Sequence, residues 1–265
     1  MALTLDTIIL GVRQVAGAHD FYASAFPAAH TGGHADSLTL NGTGKLAFQQ
    51  VEALAADVDA DPATSGFRGF VVSSIVKQPS DVRSLLSAAT ASGASVIKPA
   101  KKQVFGEFTA TYEAPDGALW KLAASSKKDS TPVSTSPKPT ETAIYLGVTE
   151  PKASKVFYEA LGMTTDRDYG DKFIDFTISE GVCRLGLLTR RSLGKDVGVD
   201  THGDGFSAVV LTHVARSSDE VDRILTTAES AGGRVDSKAA TTDDGGYAGY
   251  FDDLDGHHWK VISHK

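Results

Sequence analysis

The chain has 265 residues, 41% of them hydrophobic and 22% charged, with a formal charge of −7 and one cysteine. That length allows one large domain or two of about 130 residues. The acidic balance, with a sequence pI of about 5.6, excludes a basic nucleic-acid-binding face, and the lone cysteine excludes a disulfide framework or a cysteine-rich zinc site.

The first residues, MALTLDTIILGV, carry no basic leader segment. No run reaches the roughly 18–20 apolar residues of a membrane span. The expectation is a soluble cytoplasmic protein with no membrane contact. Residues 5–12 read as a strand by β-branched content, 16–25 as a short helix, and 36–40 and 45–51 as short strands. An apolar strand at 69–76 (GFVVSSIV) and a helix at 79–92 follow, then a strand, an Asp116-Gly117 turn and a closing strand. Residues 125–141, SSKKDSTPVSTSPKPTE, are rich in Ser, Thr, Pro and Lys and read as a linker.

The same order then recurs. A strand at 142–148 leads into a helix at 151–161, with Pro151 in its first turn, where a missing N–H costs little. Strands at 172–178 and 182–188 follow, the second holding Cys183 as a buried thiol. After a strand at 206–214, a helix at 218–231 puts Val221, Ile224, Leu225 and Ala228 on one face and ends at Gly232. The last hairpin closes as DGHHWKV.

Aligning Asp116 with Asp255 sets an offset of 139 that also matches Phe67 with Phe206, Val82 with Val221, Gly93 with Gly232, Trp120 with Trp259 and Lys121 with Lys260. Near the start of each half the offset is 136, matching Gly11-Val12 with Gly147-Val148 and Phe21-Tyr22 with Phe157-Tyr158. The chain is therefore a tandem duplication, with a first domain at 1–124, a linker at 125–141 and a second domain at 142–265. The fold class is α+β. Each half is expected to contain two βαβββ modules that form a cupped mixed sheet, with helices on its convex side.

FYEALGM, EVDRILTTAESAGG and GGYAGYFDDLDGHHWKV together resemble the vicinal oxygen chelate superfamily, which includes glyoxalase I, bleomycin-resistance proteins and extradiol dioxygenases. The first half is similar too, although FYASAFP replaces the usual FYxxLG pattern. In its metalloenzymes, this resemblance implies, a His, Gln or Glu on the first strand of a module and a Glu on the last strand hold a divalent metal inside the cup. The corresponding positions are read as Thr7, Phe70, Ala143 and Val209, and as Phe48, Lys121, Leu187 and Lys260. None carries a carboxylate or imidazole, so neither a metal nor another cofactor is expected.

Strand alternation places Lys260 and His258 toward the cup and His257 outward, as a turn residue. His213 is expected to face inward with Val209 and Leu211, and Trp120 and Trp259 outward as core. Lys121 and Lys260 have two readings: pairing with an acidic side chain, or meeting an anionic or carbonyl group of a ligand.

Two functions follow. The first is a metal-independent protein that binds a hydrophobic or partly anionic small molecule, such as a drug or natural product. Ile9, Val72, Leu119, Tyr145 and Leu211 would line the cups, with Lys121, Lys260, His213 and His258 as polar anchors. The alternative is a glyoxalase-like lyase or isomerase using a metal at another site or Lys/His acid–base groups. A monomer supplies four modules and suffices for two complete cups; a homodimer is compatible with the same reading.

Overall fold

The computed structural model describes residues 2–31, 36–103, 106–179, 182–243 and 245–264. Four βαβββ modules follow one another. The first comprises β1 (Thr7–Val12), α1 (Val15–Ala25), β2 (His30–Thr31), β3 (Ser37–Thr39) and β4 (Lys45–Gln50), and continues into α2 (Val51–Asp57) and β5 (Thr64–Gly66). The second comprises β6 (Phe70–Val76), α3 (Pro79–Ala91), β7 (Ser95–Lys102), β8 (Phe108–Glu113) and β9 (Leu119–Ala124). The third comprises β10 (Glu141–Val148), α4 (Pro151–Ala160), β11 (Thr165–Asp168), β12 (Ile174–Phe176) and β13 (Arg184–Thr189), and continues into α5 (Arg190–Val197) and β14 (Gly203–Gly205). The fourth comprises β15 (Val209–Ala215), α6 (Ser218–Ser230), β16 (Ala240–Thr241), β17 (Tyr247–Asp252) and β18 (His258–Ser263).

The α+β class and the duplicated modules are as the sequence implies, but the modules pair differently. One eight-stranded sheet runs β16-β17-β18-β15-β1-β4-β3-β2 and joins modules one and four; the other runs β11-β12-β13-β10-β6-β9-β8-β7 and joins modules two and three. Each half therefore contributes one module to each sheet, and neither half forms a cup of its own. A repeat tells which segments are alike, and either pairing satisfies the same strand edges; long-range pairing is not written in it. The central seams are antiparallel, Thr7 opposite Thr212 and Ile9 opposite Val210 in the first sheet, Ala143 opposite Ser73 and Tyr145 opposite Val71 in the second. A two-stranded ribbon of β5 and β14 joins the two crossovers.

The outer faces carry α1, α3, α4 and α6. Tyr22, Phe26, Leu85, Phe157, Tyr158 and Leu225 pack there against Trp120 and Trp259, both fully buried. The inner faces are covered too. Leu54 and Ala55 of α2, with Val58 just after it, pack on Val210 and Ile9, and Leu193 and Val197 of α5 pack on Val71, Leu119 and Tyr145. These two helices were absent from the sequence reading. Helix α5 has a Thr189 side-chain cap on Ser192 N–H and a left-handed Gly198 at its end, φ 87°.

The 125–141 segment has no regular element but is held in place. The buried Gln78 side chain accepts from the N–H groups of Ser130 and Thr131, and Ser125 N–H donates to the Val76 carbonyl.

Candidate functional site

Each inner face centres on four positions in register. In the first sheet Thr7 lies beside Lys45 on one flank and Thr212 on the other, and Thr212 lies beside Lys260. In the second, Ala143 lies beside Arg184 and Ser73, and Ser73 lies beside Lys121. Thr7, Ala143, Lys121 and Lys260 thus face inward as read from the sequence. Phe70, Val209, Phe48 and Leu187 do not; they belong to the outer core. The inner residues of those strands are instead Ser73, Thr212, Lys45 and Arg184. The error was one of register: an apolar strand covered by helices on both faces shows no alternation from which to read its sides.

The same error moves three ligand-lining candidates. Val72 and Leu211 belong to the outer core, where Val71 and Val210 are their inward neighbours. His213 is buried on that outer side, its Nδ1 3.1 Å from Thr4 N and 3.4 Å from Asp6 Oδ2. Ile9, Leu119 and Tyr145 do face inward, under α2 or α5. Burial and the Glu141 charge push the Tyr145 hydroxyl up to about 12.

Charge separates the two inner faces. In the second sheet Lys121 Nζ lies 2.7 Å from Asp196 Oδ2 on α5. Arg184 is paired with Glu141 at 2.9 Å and Asp166 at 2.7 Å, and Asp175, fully buried, is held by Arg167 and lies 3.5 Å from Arg184. Their counterparts in the first sheet, Lys260 and Lys45, meet no carboxylate within ion-pair distance among the described residues; Lys260 Nζ instead lies 5.6 Å from the Tyr250 ring centre. Between them the buried Thr212 hydroxyl has no hydrogen-bond partner among the described residues. Lys45 is exposed and Thr7 and Lys260 are partly so, because α2 covers the opposite end of this face.

His258 also faces inward, 5.6 Å from the Phe206 ring, with Nδ1 2.5 Å from Asp252 Oδ1. Arg234 holds the other Asp252 oxygen at 2.7 Å. Burial works to raise the Asp252 carboxyl, but the His258 and Arg234 hydrogen bonds outweigh it and hold it below the usual carboxylate range. His257 is the turn residue expected: its N–H donates to Asp253 Oδ1, and its ring nitrogen lies 3.3 Å from the Gly147 carbonyl.

None of the eight inner positions carries the imidazole, thiolate or carboxylate donors that a divalent metal requires, and four carry cations. Those residues do not fit the metal that the superfamily's enzymes hold there. Among the described residues no cluster of three or more His, Cys, Asp or Glu side chains has metal-binding geometry.

A cavity of about 1290 Å³ opens beside the first sheet, between the start of α1, the 61–64 crossover and the Glu113–Gly117 turn. Its counterpart in the other half is closed. There Thr149 N–H donates to Asp255 Oδ1 at 2.7 Å, Ser154 Oγ lies 3.2 Å from Asp255 Oδ2, and Arg190 spans the gap. At the repeat-equivalent positions the first half has Val51 for Arg190, Ala118 for His257 and Ala114 for Asp253. Asp253 binds the buried Tyr158 hydroxyl at 2.7 Å; with alanine at 114, Asp116 turns inward to bind Tyr22 at the same distance. Asp116 is thus lost to the role that Asp255 fills, and burial pushes its carboxyl above the usual range. This cleft was not read from the sequence; the three small residues at repeat positions otherwise large or charged were its signal.

The family model described as Glyoxalase/Bleomycin resistance protein/Dioxygenase superfamily matches residues 141–261. Among solved structures, glyoxalase I from Zea mays is 17% identical, covering 98% of this chain and 92% of its own, with a TM-score of 0.62. A protein of Bacillus subtilis subsp. subtilis str. 168 is 13% identical, covering 99% and 86%, with the same TM-score of 0.62. A glyoxalase-related enzyme from Fulvimarina pelagi is 27% identical over 45% of this chain and 84% of its own, with a TM-score of 0.41. No curated protein matches the sequence. Residues 141–261 therefore belong to the glyoxalase/bleomycin resistance protein/dioxygenase superfamily, and the chain as a whole has the tandem fold of glyoxalase I.

Proposed function

We propose that this protein binds a hydrophobic small molecule bearing an anionic group, without a divalent metal, at the open end of the first inner face. One observation carries this reading: among the described residues Lys260, beside the Thr212 hydroxyl that has no hydrogen-bond partner, and Lys45, beside Thr7, have no carboxylate partner, whereas Arg184 and Lys121 at the same positions of the second sheet are ion-paired. A half-buried ammonium without a counter-ion and a buried hydroxyl without a partner are both costly, and a bound carboxylate or sulfonate relieves both. The apolar body of the ligand would lie toward Ile9 and the edge of α2. The second inner face is reserved for structure, its cations being satisfied internally.

8-Anilinonaphthalene-1-sulfonate is a suitable hydrophobic anion for the test. Its fluorescence titration is expected to show saturable binding that Lys45→Met and Lys260→Met weaken at least tenfold and Lys121→Met leaves unchanged. Elemental analysis is expected to find no stoichiometric divalent metal. One tightly held metal ion per chain, or equal binding in all three variants, rejects the proposal.

The His258–Asp252 pair favours a second reading, an acid–base lyase or isomerase. It predicts turnover of an α-oxoaldehyde–thiol adduct that is lost in His258→Ala and Lys260→Ala. No turnover with or without added Ni²⁺, Zn²⁺, Mn²⁺ or Fe²⁺ removes it.

A further inference from the structure

The cavity beside α1 has a twin whose occupant is visible. In the second half the Arg190 guanidinium fills it, with Nε donating to the Thr201 carbonyl at 3.0 Å, Nη2 to the Gly203 carbonyl at 3.0 Å and also to the Phe67 carbonyl. It lies 5.2 Å from the centre of the Phe67 ring. The 139-residue repeat maps those three carbonyls onto Pro62, Thr64 and Phe206, and Arg190 onto Val51. Pro62, Thr64 and Val51 all line the cavity of the first half, and no described side chain donates to the three mapped carbonyls. The backbone that holds a cation in one half is repeated in the other without the cation.

We infer that this cleft is a second ligand site, for an organic cation with a primary ammonium group and an apolar body. Carbonyls accept and do not donate, so the group that those of the lining residues Pro62 and Thr64 would select is a donor, preferably charged. Besides Asp116, whose carboxyl is taken by Tyr22, the lining holds four acidic residues, Asp20, Glu52, Asp61 and Glu113, against two basic ones, Arg13 and Arg68. Of these two, Arg68 is already engaged, donating to the Asp116 carbonyl at 2.7 Å. The shape narrows the choice further. A methyl added at Gly69 would lie 2.6 Å from Arg190 Nη1, and the first half carries that methyl, as Ala208. A planar guanidinium seated like Arg190 is therefore blocked, whereas a single-nitrogen ammonium at the Nη2 position is not. The remaining volume exceeds an arginine side chain, and Ala18, Phe21 and Pro115 supply apolar wall for the body of the ligand.

The test compares three probes of one shape, phenethylammonium, 2-phenylethanol and 3-phenylpropionate, by calorimetry and ligand-observed NMR on the full chain. Phenethylammonium is expected to bind at least tenfold more tightly than the alcohol, and raised salt and Glu52→Gln/Glu113→Gln should weaken it several-fold. Val51→Arg, whose side chain would occupy the cleft although Ala208 keeps its guanidinium out of the seat that Arg190 takes, should abolish binding. Gly17→Trp, on the exposed side of α1, should do the same, and serves if Val51→Arg folds poorly. Equal or tighter binding of the alcohol or the carboxylate overturns the inference, as does phenethylammonium binding that survives both blocking variants, or no binding of any probe. These outcomes are separate from the first-sheet reading, whose lysine variants lie at the Thr7 end of β1, whereas the cleft lies at its Gly11 end.

Discussion

The two halves of this chain start from the same modules and reach opposite solutions at equivalent places. In the second half Arg190, Asp255 and His257 close the space between a β–α loop and the terminal hairpin; in the first, Val51, Asp116 and Ala118 leave it open. The sheets differ in the same sense. Arg184 and Lys121 are matched by Glu141, Asp166 and Asp196, whereas Lys45 and Lys260 are left unmatched. A duplicated fold contains its own control: a position satisfied in one copy shows what the other copy lacks. Both deficits lie around the first sheet and its neighbouring cleft, and they have opposite sign, one short of anions and one short of cations.

Four perturbations break or sharpen this contrast. The largest effect is expected where the closed side is opened. Arg184→Met leaves Asp175 buried with only Arg167 for partner, and should cost about 3 kcal/mol, as when one member of a buried ionic network is removed. Urea unfolding should show the midpoint falling with an unchanged slope. Arg190→Ala comes next, at about 2–3 kcal/mol, since three carbonyls lose their donor together. The open-side counterparts, Lys45→Met and Val51→Ala, should each cost no more than about 1 kcal/mol by the same assay; equal losses on both sides would erase the contrast.

The third concerns pH. Asp252 has a folded carboxyl held below its unfolded value, so it contributes stability above the unfolded value and loses it as pH falls through the folded one. Asp252→Asn should lower stability at neutral pH and flatten the acid limb of a thermal-melt series. The smallest effect is expected at Ala208, which sits at φ 55° where its repeat-mate Gly69 has φ 83°. Ala208→Gly relieves a left-handed alanine and should raise stability by up to about 1 kcal/mol. It also removes the methyl that narrows the cleft, so methylguanidinium should then bind where it did not before.

Much of the fold was legible because repetition is a strong signal. The module order, the turn at Gly256, the buried tryptophans and the inward set of Lys260 and Lys121 could all be read from the closing motif. The faces of β6 and β15 could not, since Val71-Val72 and Val209-Val210-Leu211 are apolar on both sides. The reason for that uniform pattern is α2 and α5, helices of seven and eight residues in segments that resemble crossovers. Module pairing was equally invisible, because identical edges permit either partner. The cleft was hidden for another reason: it is defined by what alanine and valine fail to fill, and small residues draw no attention until their larger counterparts are seen at work.

The seam between β1 and β15 has a consequence for how the molecule is made. Thr7 must find Thr212, so the first sheet cannot close until most of the chain has left the ribosome. The second sheet needs only residues 70–189, a contiguous stretch. Sequence separation slows pairing, and early segments with unpaired edges are exposed while they wait. Synthesis should therefore complete the inner pair of modules first, with the N-terminal module held open until the last one arrives to clasp it. The first and fourth modules are thus tied together in one sheet, and the region proposed to bind ligand is the last to be assembled.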